Sequence, residues 1–78
     1  MWHVYILKCH DGSYYTGCTS NMNDRLVRHS KGEIYHTASR LPFDLIVTIN
    51  FNSKYKAFNF EKYLKSGSGR AFRNKHFI

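Results

Sequence analysis

The segment Trp2-His3-Val4-Tyr5-Ile6-Leu7-Lys8-Cys9-His10-Asp11-Gly12-Ser13-Tyr14-Tyr15-Thr16-Gly17-Cys18 decides how this chain folds. From Trp2 to Cys9 every residue except His3 and Lys8 is apolar, which reads as a strand covered on both faces. His10-Asp11-Gly12 is a turn signal, and Ser13 to Cys18 reads as a second strand. The loop length settles which side chains meet. A two-residue Asp-Gly turn would pair Tyr5 with Cys18 and put Tyr5 and Tyr15 on opposite faces. A three-residue loop pairs Cys9 with Ser13, Leu7 with Tyr15 and Tyr5 with Gly17, and it calls for glycine in its last, left-handed position, where Gly12 stands. The three-residue register is therefore favoured. It sets Tyr5 and Tyr15 on one face, puts Gly17 across from Tyr5, and separates Cys9 from Cys18 on opposite faces.

Downstream, Asn21 is placed to cap a helix over Met22 to Ser30, with Asp24 in a capping-box-like position and Gly32 as the stop. Met22 and Leu26 are its expected buried stripe. Glu33 to Asp44 reads as a loop holding the only proline, Pro42, and Leu45 to Phe51 as a third strand. Ser53 is a cap for a second helix, Lys54 to Lys65, ended by Ser66-Gly67, and Ser68-Gly69 opens a last helix ending near His76. The order β-β-α-β-α-α predicts an α+β, sandwich-like fold: a three-stranded antiparallel sheet flanked by helices, one domain over residues 1–78.

Twelve Lys and Arg against five Asp and Glu give a net charge of +7, spread along the chain, and favour a polyanionic partner. No helix divides cleanly into basic and apolar faces, and no run approaches a membrane span, so no membrane role is expected. The start Met1-Trp2-His3-Val4-Tyr5 lacks the pattern of a signal peptide, and a cytoplasmic location is expected. Two cysteines cannot build a disulfide scaffold, and they are expected to be reduced, packed thiols.

In the second helix, Ala57, Phe58, Phe60 and Leu64 form an apolar arc with Glu61 near its middle. A carboxylate there needs a compensating charge, from Lys65 one turn on or from the first helix, or else it is a metal ligand lining a cleft. Arg25 and His29 stand four apart on the first helix. They are either a solvated face or a phosphate fork beside a proton relay. Tyr14 reads as packing. A phenol acts as a base only where cations or a metal lower its pKa, and Arg25, Lys8 or an ion at Glu61 are the candidates near Tyr5 and Tyr15. Phosphodiester hydrolysis needs a water, a proton acceptor and cationic relief at phosphorus, and this set covers those needs with one metal. Five acidic residues disfavour a two-metal site.

At this point the sequence resembles the GIY-YIG nuclease superfamily, and more closely its small stand-alone bacterial proteins. The first signature stands as His3-Val4-Tyr5 and the second as Tyr15-Thr16-Gly17. Arg25 and His29 follow, then His36-Thr37-Ala38-Ser39-Arg40-Leu41-Pro42, then Phe60-Glu61-Lys62-Tyr63-Leu64-Lys65-Ser66-Gly67. His3-Val4 replaces Gly-Ile, Thr16 replaces Ile, and Asn74 is the only Asn beyond Glu61. The resemblance implies a three-stranded antiparallel sheet with helices and a metal-dependent DNA endonuclease, with structure-selective cutting or DNA repair and processing as roles. It implies Tyr5 as general base or its close partner, and Tyr15 as the group orienting water or phosphate. It implies Arg25 as phosphate clamp, His29 in proton transfer, and Glu61 as ligand of one Mg2+ or Mn2+ ion. Lys8, Gly17, Arg28, Arg40, Lys65 and Arg70 are the candidate nucleic-acid contacts, with DNA favoured over RNA. Target choice would come from DNA shape or from a protein partner. Two other readings stay open: a nucleic-acid-binding module of the same fold without turnover, and an interaction module that meets an acidic protein.

Overall fold

The computed structural model describes residues 1–78. The elements are β1 (Trp2–Cys9), β2 (Tyr14–Thr19), α1 (Met22–Ser30), α2 (Tyr35–Ala38), β3 (Phe43–Phe51), α3 (Lys54–Leu64) and α4 (Gly67–His76). The three strands form one antiparallel sheet in the order β2-β1-β3, so β1 is central and β2 and β3 are edges. The central position explains why β1 is apolar on both faces: Val4, Tyr5, Ile6 and Leu7 are all buried. No helix is long and apolar enough to cross a membrane.

The hairpin takes the three-residue register. Tyr5 faces Gly17, Leu7 faces Tyr15, and the Cys9 amide donates to the Ser13 carbonyl at 2.8 Å. Gly12 holds φ 84°, which a side chain would make costly. Asp11 ties the turn, accepting from the Ser13 amide at 3.0 Å and the Ser13 hydroxyl at 2.5 Å, and these bonds hold its carboxyl below the usual range. Both cysteines are buried and free.

The alternation of strand side chains sorts the helices between two faces. On one face Val4, Ile6 and Cys18 pack against Ala57 and Leu64 of α3, with Phe60, Phe72 and Phe77 around them. On the other lie Tyr5, His29 of α1 and Thr37 of α2. The register between β1 and β3 slips at Ile6/Leu7, so Val47 faces Ile6 while Leu45 faces Leu7 and Phe43 faces Cys9. This bulge turns Phe43 from the Val47 face to the Tyr5 face, where its ring stands edge-on to His29 at 5.9 Å between centroids.

Caps formed where the sequence places them. Asn21 Oδ1 accepts from the Asp24 amide at 3.0 Å, and Ser53 Oγ accepts from the Lys56 amide at 3.3 Å. Other details differ from expectation. Ser66, not Ser68, caps α4, its Oγ accepting from the Gly69 amide at 3.2 Å. The segment after Glu33 is not a plain loop but contains α2, and β3 starts at Phe43 rather than Leu45. Met22 and Leu26 are only half-buried, and the enclosed residue of α1 is His29. Phe58 leaves the apolar arc and sits at the rim, its ring 5.4 Å from Trp2.

Candidate active site

The site begins with the glycine opposite Tyr5. A Cβ at Gly17 would clash with the Tyr5 hydroxyl and come within 2.8 Å of its Cε1, so glycine lets the Tyr5 ring lie across β2 toward the sheet edge. There the Tyr5 hydroxyl meets Nε2 of His29 at 2.8 Å, and both residues have no exposed surface. The other ring nitrogen of His29, Nδ1, lies 2.7 Å from Oγ1 of Thr37. Of the two readings of Arg25 and His29, the solvated face thus fails for His29, which has no exposed surface. Tertiary packing of α1 on the Tyr5 side of the sheet encloses it.

Burial, and next the neighbouring Tyr15, push the Tyr5 hydroxyl above its ordinary pKa, while Arg25 is close enough to pull the other way. The charge of Glu61 also reaches Tyr5 and raises it slightly. Burial lowers His29 to about 4, and the positive charges of Arg25 and Arg28 act in the same direction. At neutral pH this imidazole is uncharged. Burial raises the Cys18 thiol, with Glu61 adding to it. Glu61 is half-buried on α3, which packs on the sheet face opposite Tyr5, and its charge bears on both Tyr5 and Cys18.

Tyr15 joins this enclosed centre to the surface. Its ring stands edge-on to His29 at 5.3 Å and stacks on His36 at 6.2 Å. Together with Tyr14, Thr16, His36 and Leu64 it lines a cleft of about 320 Å³ beside β2. The charged lining is Arg40, Lys65, Arg70 and Arg73, four cations and no carboxylate. Arg40 donates to the Ser13 hydroxyl at 2.7 Å and to the His36 carbonyl, and Arg73 lies over the Tyr14 ring at 5.0 Å. Preformed cations along a free strand edge can hold successive phosphates.

Of the nucleic-acid candidates, Arg40, Lys65 and Arg70 line this cleft and Gly17 lies under the Tyr5 ring. Lys8 is a correction only as a charge acting on Tyr5: it stands three residues along β1, exposed on the face that Tyr5 does not share, and Arg25 is the cation that lowers Tyr5. Arg28 lies outside the cleft, 3.8 Å from Glu33, and touches the site only through its field on His29. Sequence reasoning did not single out Arg73, and it used His36 and Thr37 only as parts of a motif. Tyr14 lies at the cleft as well as in the core packing.

Glu61 is paired with Lys65, whose Nζ lies 3.0 Å from Oε2, so Lys65 is both the compensating charge and a cleft residue. No group of three or more His, Cys, Asp or Glu side chains gathers to hold a metal. A lone carboxylate does not make a closed zinc-type site. It suits a hard divalent ion that keeps water and takes further oxygens from a phosphate. Asn74 is exposed on α4, and its carbonyl accepts from Arg73 at 3.0 Å and 3.2 Å.

Three comparisons bear on this geometry. The UPF0213 protein of Halalkalibacterium halodurans is 42% identical over 69 residues, 87% of this chain and 73% of that protein. A UPF0213 protein of Streptococcus pneumoniae is 44% identical over 64 residues, 81% of this chain and 65% of that protein, so the chain spans just under two thirds of this relative. The solution NMR structure of a UPF0213 protein from Bacillus halodurans superposes with a TM-score of 0.61 at 39% identity, over 96% of this chain and 82% of that one. It has the same sheet-and-helix fold. The family model of the GIY-YIG catalytic domain matches residues 1–75, which carry the paired tyrosines, the α1 pair and Glu61, and the chain belongs to the GIY-YIG family.

Proposed function

We propose that the chain is a metal-assisted endonuclease hydrolysing phosphodiester bonds, with DNA favoured over RNA. The observation that carries this reading is the enclosed 2.8 Å hydrogen bond between Tyr5 and His29, which opens through Tyr15 onto a cleft of four cations and no carboxylate. The backbone of the substrate runs along β2, its phosphates met by Arg40, Lys65, Arg70 and Arg73. Arg25 takes the scissile phosphate with its planar fork, and this draws the guanidinium from the Tyr5 hydroxyl and admits water there.

Water attacks phosphorus and the ester P–O bond breaks. The proton of the water passes to the Tyr5 oxygen as the proton of Tyr5 passes to Nε2 of His29. Burial disfavours a standing phenolate, so the transfer to His29 is what makes Tyr5 basic at neutral pH. His29, held at about 4, is in its accepting form there. Tyr15 orients the water or the phosphate, and solvent protonates the leaving oxygen. Glu61, with phosphate oxygens of the substrate, would hold one Mg2+ or Mn2+ ion, with Lys65 turning to the cleft. Such an ion supplies Lewis-acid relief at the leaving oxygen. DNA shape or a protein partner would select the target.

The test is cleavage of nicked, branched and single-stranded DNA, and of RNA, with and without Mg2+. Glu61→Ala should abolish cutting and leave salt-sensitive binding in place. Metal-independent cutting, or full activity of the variant, would overturn the reading. A second reading, binding without turnover, draws on the enclosure of Tyr5 and His29, neither of which has exposed surface. Salt-sensitive binding with no cutting on any of these substrates would favour it.

A further inference from the structure

We infer that Thr37 is a positioning residue: its hydroxyl accepts the Nδ1 proton of His29 and so holds the imidazole in the tautomer whose Nε2 can take a proton from Tyr5. This rests on the proton-transfer role proposed above, but its geometry stands alone. A neutral imidazole carries one proton, and whichever nitrogen holds it determines the direction of both bonds at His29.

Consider first the tautomer protonated on Nε2. His29 then donates to the Tyr5 oxygen, and Thr37 donates to Nδ1. The Tyr5 proton is left without an acceptor, since the other group bonded to its hydroxyl is the Arg25 guanidinium and Tyr5 has no exposed surface. A guanidinium is only a donor. A buried hydroxyl without an acceptor is costly.

The tautomer protonated on Nδ1 places every proton. Tyr5 donates to Nε2 over 2.8 Å, Nδ1 donates to Oγ1 of Thr37 over 2.7 Å, and the Thr37 hydroxyl donates to the Ile34 carbonyl over 3.4 Å. The last bond is long, but it points the Thr37 proton away from His29 and turns a lone pair toward Nδ1. The placement of α2 fits this task. It is a four-residue helix with no side-chain cap, and Thr37 is its one buried residue.

The test is nitrogen-15 NMR of the histidine rings in the full-length chain near neutral pH, which reports the protonated nitrogen directly, with cleavage measured in parallel. Wild type should show His29 protonated on Nδ1, and Thr37→Ser should keep that state and most of the activity. Thr37→Val, nearly the same shape without the acceptor, should move the proton toward Nε2. It should lower cleavage by about tenfold or more, the scale of a general-base contribution, with DNA binding unchanged. A wild-type His29 protonated on Nε2, or a Thr37→Val variant that keeps the Nδ1 proton, would overturn the inference. If Thr37→Val does not fold, the wild-type and Thr37→Ser spectra decide. If no chain cuts nucleic acid, the hydrolytic reading fails while the spectra still decide the role of Thr37.

Discussion

The Tyr5 hydroxyl and Nε2 of His29 lie 2.8 Å apart with neither residue exposed, although 24 positions separate them in the chain. A buried phenol bonded to a buried neutral imidazole is both a structural element and a proton path. The two roles respond differently to substitution.

Tyr5→Phe keeps the ring that lies over Gly17 and removes only the oxygen. It should lower metal-dependent cleavage by more than about tenfold, and leaving Nε2 unsatisfied should cost about 1–3 kcal/mol of stability. Arg25→Ala should lower cleavage by a similar factor of about ten or more, through loss of the phosphate fork. Steady-state nicking assays beside urea unfolding separate the effects. Near-normal cutting by both variants would remove the site assignment.

The depressed pKa of His29 makes folding pH-dependent. The unfolded imidazole titrates near its ordinary value of about 6.5, and the folded one at about 4. Between these values the unfolded chain binds the extra proton, so acidification favours unfolding. The contribution of His29 is fully present above the upper value and is lost as the pH falls to the lower one, on the order of 3 kcal/mol in all. Urea midpoints across that window should fall with pH in wild type and fall less in His29→Gln. Parallel pH profiles would contradict the prediction.

Gly17→Ala should destabilise the fold by about 1–3 kcal/mol, because the new methyl meets a ring that His29 and the sheet hold in place. The penalty should shrink in a Tyr5→Leu background, where the clashing hydroxyl end is gone, and a double-mutant cycle of unfolding free energies measures that coupling. Additive effects would mean that the ring moves freely.

Arg70→Ala and Arg73→Ala should each weaken DNA binding and reduce the salt slope by about one, as expected for the loss of one phosphate contact. Lys8→Ala, outside the cleft lining, should leave the slope unchanged. Fluorescence anisotropy over a salt series distinguishes them. An unchanged slope in both arginine variants would remove the cleft as the path of the nucleic acid.

Much of this molecule was legible in local pattern. Turn chemistry at Asp11-Gly12, with its demand for a left-handed residue, determined the hairpin register and so the juxtaposition of Tyr5, Tyr15 and Gly17. The caps at Asn21 and Ser53 marked two helix starts, and the scarcity of acids drew attention to Glu61. These signals act within a few residues of backbone, where spacing alone implies geometry. Three features lay beyond that range. The bulge that turns Phe43 toward His29 depends on how β3 meets β1. The bond from Thr37 to His29 depends on a helix of four residues, too short to show a period. The cleft collects Arg40, Lys65, Arg70 and Arg73 from separate parts of the chain along one free strand edge. Each is a meeting of segments brought together by burial of the two sheet faces, and the energy of that burial, not any local preference, selects which side chains are enclosed and which are left to line the groove.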